Sequence, residues 1–297
     1  MRKGIALSIL SSVLFSVLYY YSTILDPLAG VEIFAWRVLL ALPLLALLIF
    51  RGRGWGEVAN VAQRLGREWK LGLLLLVSAA LIGVQLWLFV WAPLHQKGLD
   101  VSLGYFVLPL AMVLVGRVFY RERISRMQWA AVAIAAVGVA HEFYRVNAFS
   151  WATALVVFGY PPYFMLRRKL RIGSLTTLWF DMLLLAPVAV FVLLVQDVGV
   201  VAQFFDYPRL LGLIPLLGVI SSVALVGYMA ASRLLPLGLF GMLGYVEPVL
   251  LFGVAWLLLN ESMEPAAWFT YVPIWIAISL LVAEGLSFWM REQRSRA

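Results

Sequence analysis

Four ionisable side chains stand out inside the long apolar stretches of this 297-residue chain, where a charge is costly and usually serves a purpose. One of them, Glu284, is expected to snorkel to the cytoplasmic surface, and the other three are Arg37, Asp181 and Glu247. At a rise of about 1.5 Å per residue, Arg37 lies about 9 Å, Asp181 about 12 Å and Glu247 about 15 Å inside its helix. A guanidinium and a carboxylate at such depths suit a zwitterion, because the cation holds a carboxylate and the acid holds an ammonium. Such a carboxylate also suits proton release. The structural alternative is an Arg37–Glu247 or Arg37–Asp181 ion pair that fixes helix register.

Aromatic and polar side chains accompany these charges in the same apolar stretches. Trp36 neighbours Arg37, and Tyr105 and Tyr245 each precede a proline. Most aromatic residues of membrane helices pack or lie at the interfaces, so those beside a charge or a proline are the better candidates. The predicted substrate-binding residues are Trp36, Arg37, Gln85, Trp87, Tyr105, Pro109, Asp181, Tyr245, Glu247 and Pro248.

The composition indicates that lipid surrounds part of the chain. Apolar residues make up 64% of it and charged residues 13%, whereas soluble proteins are about 45–50% apolar. A spanning helix needs about 20 apolar residues. Ten segments meet this need and predict an all-α membrane protein with ten transmembrane helices, at residues 4–22, 31–50, 71–92, 101–120, 127–144, 149–167, 173–195, 208–231, 237–259 and 266–289.

The basic residues predict how these helices cross the membrane. Nearly all Lys and Arg residues fall in alternate loops, and such residues collect on the cytoplasmic side. This favours ten spans with both termini cytoplasmic. It also accounts for the net charge of +8 without a nucleic-acid partner. The longest loop, Arg51 to Lys70, carries Val58, Val61 and Leu65 at helical spacing, which predicts a short helix at the membrane interface.

The stretch Ser102–Trp129 has a second copy at Gly241–Trp268, which matches it without a gap. The turn of the first copy, RERISR, is rich in arginine, whereas the turn of the second, NESMEP, has no basic residue, so the turns are predicted on opposite sides of the membrane. This is the signature of an inverted-topology repeat. We predict two five-helix repeats, at residues 1–145 and 146–297. The matched residues are Phe106 with Tyr245, Pro109 with Pro248, Glu122 with Glu261 and Trp129 with Trp268.

Several kinds of chemistry find no support in the sequence. The chain has no cysteine, and therefore no disulfide or thiolate metal site. His95 and His141 are isolated, and neither a His-Glu-x-x-His nor a paired-Asp motif is present, so we predict no enzyme, no metal and no cofactor. No nucleotide-binding loop is present either.

The stretch YVEPVLLFGVAWLLLNE resembles the Tyr-x-Glu-Pro-Val motif of EamA-domain transporters in the drug/metabolite transporter superfamily. SLGYFVLPLAMVLVGRVFYRERISRMQW, WRVLLALPLL and FMLRRKL resemble the RarD branch more closely. The resemblance covers essentially the whole chain. It implies ten helices in a 5+5 inverted repeat, and exchange or export of small metabolites across the bacterial inner membrane. By this resemblance Arg37 corresponds to the branch's second-helix arginine, and Glu247-Pro248 to the EamA Glu-Pro pair.

Two positions depart from the RarD pattern. Leu108 stands where the branch usually has Asn, and Trp36 where it usually has His, so a less polar and more aromatic cavity is expected. Members of the superfamily move amino acids, sugars and amino-acid-derived metallophores. We expect an exporter of a small polar or zwitterionic metabolite that works by alternating access around a midplane cavity. A membrane scaffold and an intramembrane enzyme are the alternatives. The expected partners are a small-molecule substrate and the lipid bilayer, and a homodimer remains open.

Overall fold

The computed structural model of the chain describes residues 2–121, 125–146, 150–195, 200–235 and 243–296. Within these ranges all regular structure is helical and no described residue lies in a β-strand, which confirms the all-α class. Glu122 and residues 236–242 lie outside the described residues. The α-helices are α1 (Arg2–Tyr21), α2 (Gly30–Arg51), α3 (Trp55–Leu65), α4 (Trp69–Trp91), α5 (Gly98–Tyr120), α6 (Arg126–Val146), α7 (Trp151–Leu170), α8 (Ser174–Leu194), α9 (Val200–Asp206), α10 (Leu210–Leu234), α11 (Val246–Gly253) and α12 (Trp268–Arg296).

Several of these helices suit a membrane. Helix α5 is long and apolar enough to cross one if its arms, Gly98–Leu108 and Leu110–Tyr120, form one span bent by 41°. The described part of the chain is therefore that of a multi-pass membrane protein, and the ten-span count stays a prediction. Besides α5, six segments in the described ranges are long and apolar enough to cross a membrane: Lys3–Ile24, Gly30–Arg51, Trp69–His95, Ser174–Leu194, Leu210–Tyr228 and Pro265–Glu284.

Helix geometry changes at both matched prolines. Helix α5 bends at Pro109, and Pro248 is the third residue of α11, where its missing N–H costs no helical hydrogen bond. Gly244 and Tyr245 form a turn, because the ring of a proline clashes with the carbonyl four residues earlier. The described part of the ninth predicted helix, from residue 243 on, is thus interrupted at this turn. Glu247 lies in the first turn of α11 and not in the middle of a long helix.

Contacts between helices divide the chain into two compact units, each built from separate stretches. Unit 1 comprises Met1–Tyr20, His95–Pro161 and Val223–Ala297, and unit 2 comprises Tyr21–Leu94 and Pro162–Ser222. In unit 1, α6 packs along α12 and α5 packs against α11; in unit 2, α8 packs against α2 and α4. The helices paired in unit 1 are the matched parts of the sequence repeat. Each unit thus takes helices from both predicted repeats, and the repeat division itself stays a prediction.

The predicted interfacial helix is present as α3 in unit 2. Its Val58 and Val61 are buried in a hydrophobic cluster with Ile49, Leu75 and other residues of α2, α4, α7 and α8. The opposite face of α3 is exposed. Spacing of three residues places the two valines on one side of a helix, which is why the sequence pattern identified this element.

Glycines allow the helices of each unit to approach closely. A Cβ atom on Gly138 of α6 would lie 2.6 Å from the backbone oxygen of Thr270 in α12. A Cβ atom on Gly83 of α4 would lie 2.7 Å from Leu185 Cδ2 in α8. Membrane helices associate through such small-residue contacts, because lipid supplies little hydrophobic drive for helices to pack.

Substitution of Gly138 by alanine is expected to loosen the α6–α12 contact. The added Cβ atom would meet a backbone atom, which moves less easily than a side chain. Gly138→Ala should therefore lower the free energy of unfolding by about 1–3 kcal/mol. Gly212→Ala in α10 is the matched control, because nothing lies within 4 Å of its added Cβ and alanine gains up to about 1 kcal/mol over glycine in a helix. Melting temperatures followed by tryptophan fluorescence in detergent test this. Equal melting temperatures for the two variants would contradict it.

Candidate functional site

Arg37 is buried in unit 2, with 7% of its surface exposed. Its Nε donates to Ser221 Oγ and its Nη1 to the Leu86 carbonyl, both at 3.4 Å. Its Cζ lies 5.4 Å from the centroid of the Phe89 ring, within range of a cation–π interaction. These three contacts orient the guanidinium within unit 2.

The start of α2 is held by the short helix α9. Gln203 Nε2 donates to Glu32 Oε1 at 2.8 Å, and the other Glu32 oxygen accepts the Ala29 N–H. The partly buried Trp36 contacts the Phe204 ring, with centroids 6.1 Å apart. The connection between α8 and α10 thus packs beside the turn of α2 that carries Trp36 and Arg37.

Gln85 and Trp87 lie on α4, in the same unit as Arg37. Gln85 is buried, with 2% of its surface exposed. Trp87 is partly buried and packs against Trp91, with ring centroids 5.4 Å apart. Both residues belong to the turns of α4 that also supply Leu86 and Phe89 to Arg37. Trp36, Arg37, Gln85 and Trp87 therefore belong to the same unit, and their substrate-binding role stays a prediction.

Asp181 is fully buried in α8 and takes part in a network that ties α7 to α8. Tyr163 Oη donates to Asp181 Oδ2 at 3.3 Å, and the Ser78 hydroxyl lies beside the same carboxylate. Arg167 donates to the Tyr163 hydroxyl, and its Nη2 donates to the Ser174 carbonyl at 2.7 Å. These contacts give Asp181 a structural role in which Arg167, and not Arg37, supplies the positive charge. A substrate-binding role for Asp181 stays a prediction.

Glu247 lies in unit 1, where two tyrosines are within range of its charge. It interacts electrostatically with Tyr105 and Tyr228. The Tyr105 and Tyr160 hydroxyls form a hydrogen bond of 2.8 Å, and the Tyr228 ring packs edge-on against Phe15 with centroids 6.3 Å apart.

Tyr160 and Tyr228 were absent from the sequence-based set. Aromatic residues are common in apolar helices. Tyr160 directly precedes Pro161, a signal that could have marked it, whereas Tyr228 has neither a charge nor a proline beside it. Only the packing of helices in unit 1 brings Tyr160 to Tyr105 and Tyr228 within range of Glu247.

Tyr245 differs from the tyrosines around Glu247. It is 8% exposed and belongs to the hydrophobic core of unit 1 with Phe106, Phe252 and Tyr271, which favours a packing role. Pro248 is buried as well. Of Pro109 the structure describes only the backbone, at the bend of α5.

The predicted residues fall into two groups of different chemistry. Unit 2 presents a guanidinium oriented by neutral groups, which suits an anionic ligand group, and unit 1 presents a carboxylate among hydroxyls and aromatic rings, which suits a cationic one. No group of three or more metal-ligating side chains occurs in the described ranges. Unit 2 contains Trp36, Arg37, Gln85, Trp87 and Asp181, and unit 1 contains Tyr105, Pro109, Tyr245, Glu247 and Pro248.

Comparison with known proteins places the chain among transporters. Residues 2–141 match the EamA-like transporter family. A protein of Pseudomonas aeruginosa named chloramphenicol-sensitive protein RarD is 48% identical over 99% of this chain and 98% of its own length. This chain belongs to the EamA-like transporter family, in its RarD-like branch. A RarD protein of Streptomyces exfoliatus is 29% identical over 92% of the chain and 85% of its own length.

Other comparisons agree with this membership. A protein of Pasteurella multocida named as an uncharacterized transporter is 40% identical to this EamA-like transporter, over 96% of the chain and 97% of its own length. A crystal structure that covers 95% of the chain, and is itself covered to 98%, superposes with a TM-score of 0.56 at 16% identity, which supports a shared fold alone. The family predicted from the Glu-Pro motif and the RarD-like stretches is thereby confirmed.

The EamA-like transporter also contains a carboxylate that caps a helix, that of Glu261. In the sequence it was distinguished only by its match with Glu122 in the repeat. Glu261, in the connection between α11 and α12, accepts the Gly98 N–H at 2.6 Å and the Leu99 N–H at 2.8 Å. These donors lack partners within the helix because they belong to the first turn of α5. A Cβ atom on Gly98 would lie 2.5 Å from Glu261 Oε1, so the close approach requires glycine. Tyr271 Oη donates to the Leu99 carbonyl at 3.1 Å.

Substitution of Glu261 should release the start of α5. Glutamine keeps one acceptor oxygen but loses the charge, so one N–H is left without its acceptor. We expect Glu261→Gln to lower the free energy of unfolding by about 1–3 kcal/mol. The exposed Glu264 in the same connection serves as the control, and Glu264→Gln should have little effect. Hydrogen exchange of the first amides of α5 tests the mechanism, and unchanged exchange in Glu261→Gln would contradict it.

The same carboxylate predicts a pH dependence of stability. Burial raises the pKa of Glu261 above its ordinary value of 4.5, against the lowering effect of the two N–H donors. At pH values between the pKa of Glu261 in the unfolded chain and its higher pKa in the folded protein, the folded protein binds more protons than the unfolded chain does. The contribution of Glu261 to stability therefore falls as pH rises through that range. The melting temperature should show this decline above pH 4.5 in the wild type and a flatter profile in Glu261→Gln. Parallel profiles would exclude Glu261 as the source.

Proposed function

We propose that this EamA-like transporter is a secondary transporter of the bacterial inner membrane that exports a small polar or zwitterionic metabolite. An amino acid or an amino-acid-derived compound, such as a metallophore, is the favoured substrate. The observation that carries the proposal is the Glu247 carboxylate in unit 1, with Tyr105 and Tyr228 within range of its charge. A carboxylate with aromatic neighbours suits an ammonium group, which gains both an ion pair and cation–π contact.

Arg37 supplies the complementary part of the proposed chemistry. Its guanidinium is oriented by Ser221, Leu86 and Phe89, and it suits the carboxylate of a substrate, which it is able to bind through two parallel N–H donors. Glu247 is the candidate for proton coupling, since it lies inside an apolar segment and carries an exchangeable proton when neutral. Asp181, with its structural partners, is the weaker candidate.

The proposed architecture is ten transmembrane helices in two inverted five-helix repeats, at residues 1–145 and 146–297, with both termini in the cytoplasm. The six long apolar helices and the bent α5 account for seven spans, and α6, α7 and the helical stretch Val246–Leu258 provide three more. Helix α5 packs on α11, which pairs the fourth proposed span with the ninth. Helix α6 packs on α12, which pairs the fifth with the tenth. The two repeats would supply the moving parts of alternating access.

The proposed function predicts that Glu247→Gln abolishes most export while the protein still inserts in the membrane. Loss of a charge-assisted contact is worth about 1.5–3 kcal/mol, which is roughly tenfold to a hundredfold in export rate. Mass spectrometry of metabolites inside and outside cells that carry the wild type, a deletion, Glu247→Gln or the control Glu264→Gln measures this. The substrate should accumulate inside the deletion and Glu247→Gln strains and remain exported by the control.

Chloramphenicol serves as an additional probe in the same cells, because a 48% identical relative is named a chloramphenicol-sensitive protein. Chloramphenicol lacks the ammonium and carboxylate groups of the proposed substrate. If its accumulation depends on the transporter while no zwitterion moves, the proposed substrate class is wrong. If no metabolite and no chloramphenicol is exported by any strain, export is wrong as the function, and the scaffold alternative gains support.

A further inference from the structure

One end of unit 2 collects the C-termini of α2 and α7, the N-termini of α4 and α8, and helix α3. Glu57 of α3 joins these elements, because its Oε1 accepts the Gly173 N–H and its Oε2 accepts the Thr176 hydroxyl, both at 2.7 Å. The Trp55 ring meets Trp179 of α8 edge-on, with centroids 5.4 Å apart. The basic residues that flank these helix ends therefore belong to one surface.

This surface carries a strong net positive charge. Residues 51–70 and 167–173 contain nine arginines and lysines and only two acidic residues. Both acids already have partners within the protein, since Glu57 caps α8 and Glu68 pairs with Arg64 at 3.2 Å. Arg167 is directed inward to Tyr163. Seven further basic side chains are exposed and define what we call the basic rim: Arg51, Arg53, Arg67, Lys70, Arg168, Lys169 and Arg171.

Two residues of the basic rim occupy an unfavourable backbone conformation. Arg53 and Arg171 each have φ of 52°, in the left-handed region where glycine is the residue of lowest cost. An arginine at such a position gives up about 1 kcal/mol of backbone preference. Both helix ends thus carry an arginine where glycine is the residue of lowest backbone cost.

Exposed aromatic residues border the basic rim. Phe50 and Trp69 are each 71% exposed, at the end of α2 and the start of α4. Helix α3 buries its valine side in unit 2 and leaves its opposite face exposed. Aromatic side chains beside a cluster of cations, at the ends of apolar helices, are typical of a surface that lies at the headgroup level of a bilayer.

We propose that the basic rim binds the phosphate headgroups of anionic phospholipids, in the leaflet that the distribution of basic residues makes cytoplasmic. Each guanidinium offers paired N–H donors to phosphate oxygens, and anionic lipids attract juxtamembrane basic residues. The rim adjoins apolar helix ends and exposed aromatic rings, which suits a lipid whose acyl chains continue into the bilayer. This site does not depend on the proposed substrate.

Spin-labelled lipids test the proposal on the full-length protein reconstituted in neutral phosphatidylcholine. The variants are Arg53→Gln, Arg171→Gln and the double substitution. Glutamine is compatible with the backbone there, because Gln96 of this chain has φ of 54°. Arg209→Gln is the matched control, since it removes one exposed arginine from the start of α10, outside the rim. A melting curve in detergent checks that each variant remains folded.

We expect the association of spin-labelled phosphatidylglycerol, relative to phosphatidylcholine, to fall up to about fivefold for each rim substitution. The preference should weaken with added salt and remain intact in Arg209→Gln. Equal preference in the wild type and the double variant would overturn the proposal, as would an equal loss in Arg209→Gln. Complete displacement of the lipid by millimolar inorganic phosphate would also overturn it, because the site would then bind a free anion and not a lipid headgroup.

Discussion

Lipid offers no hydrogen bonds to a helix end or a charge, and the arrangement of polar groups in this protein follows from that constraint. Several buried polar groups therefore bond to partners on other helices. Arg37 is held by Ser221 and Leu86, and Asp181 by Tyr163. These bonds decide which helices pack together within a unit, because a polar group without a partner costs more in an apolar environment than it does in water.

Carboxylates at the starts of helices are the commonest form of this solution. Glu57 caps α8 from another helix, Glu261 caps α5 from the connection between α11 and α12, and Glu32 bonds to the backbone at the start of its own helix. The N–H groups of a first turn have no partner in their helix, and the helix dipole favours a negative charge there. Glu247 also lies in a first turn, yet its neighbours are tyrosine rings. That difference separates the candidate binding group from the three carboxylates that serve as structural caps.

The repeat makes the position of Glu247 informative. Its counterpart in the first copy is the neutral Leu108, beside the bend of α5, so the two repeats share helix geometry but not charge. A single carboxylate gives the protein one group that is suited to bind an ammonium or exchange a proton. The conformational change of a transporter requires related structural parts with different chemistry, and the shared prolines and the unshared acid of this EamA-like transporter fit that requirement.

Sequence alone determined the membrane character, the helical class, the family, the short helix α3 and the matched prolines, because these depend on residue type and on spacing along the chain. It also identified Arg37 and Glu247, since a charge in an apolar stretch is visible without a fold. It did not separate Asp181 from them, and it did not find Tyr160 and Tyr228. The partners of these residues lie on other helices: Glu261 and Gly98, for example, are 163 positions apart. Only tertiary structure decides such contacts, because the packing of helices, and not local spacing, determines which polar groups meet.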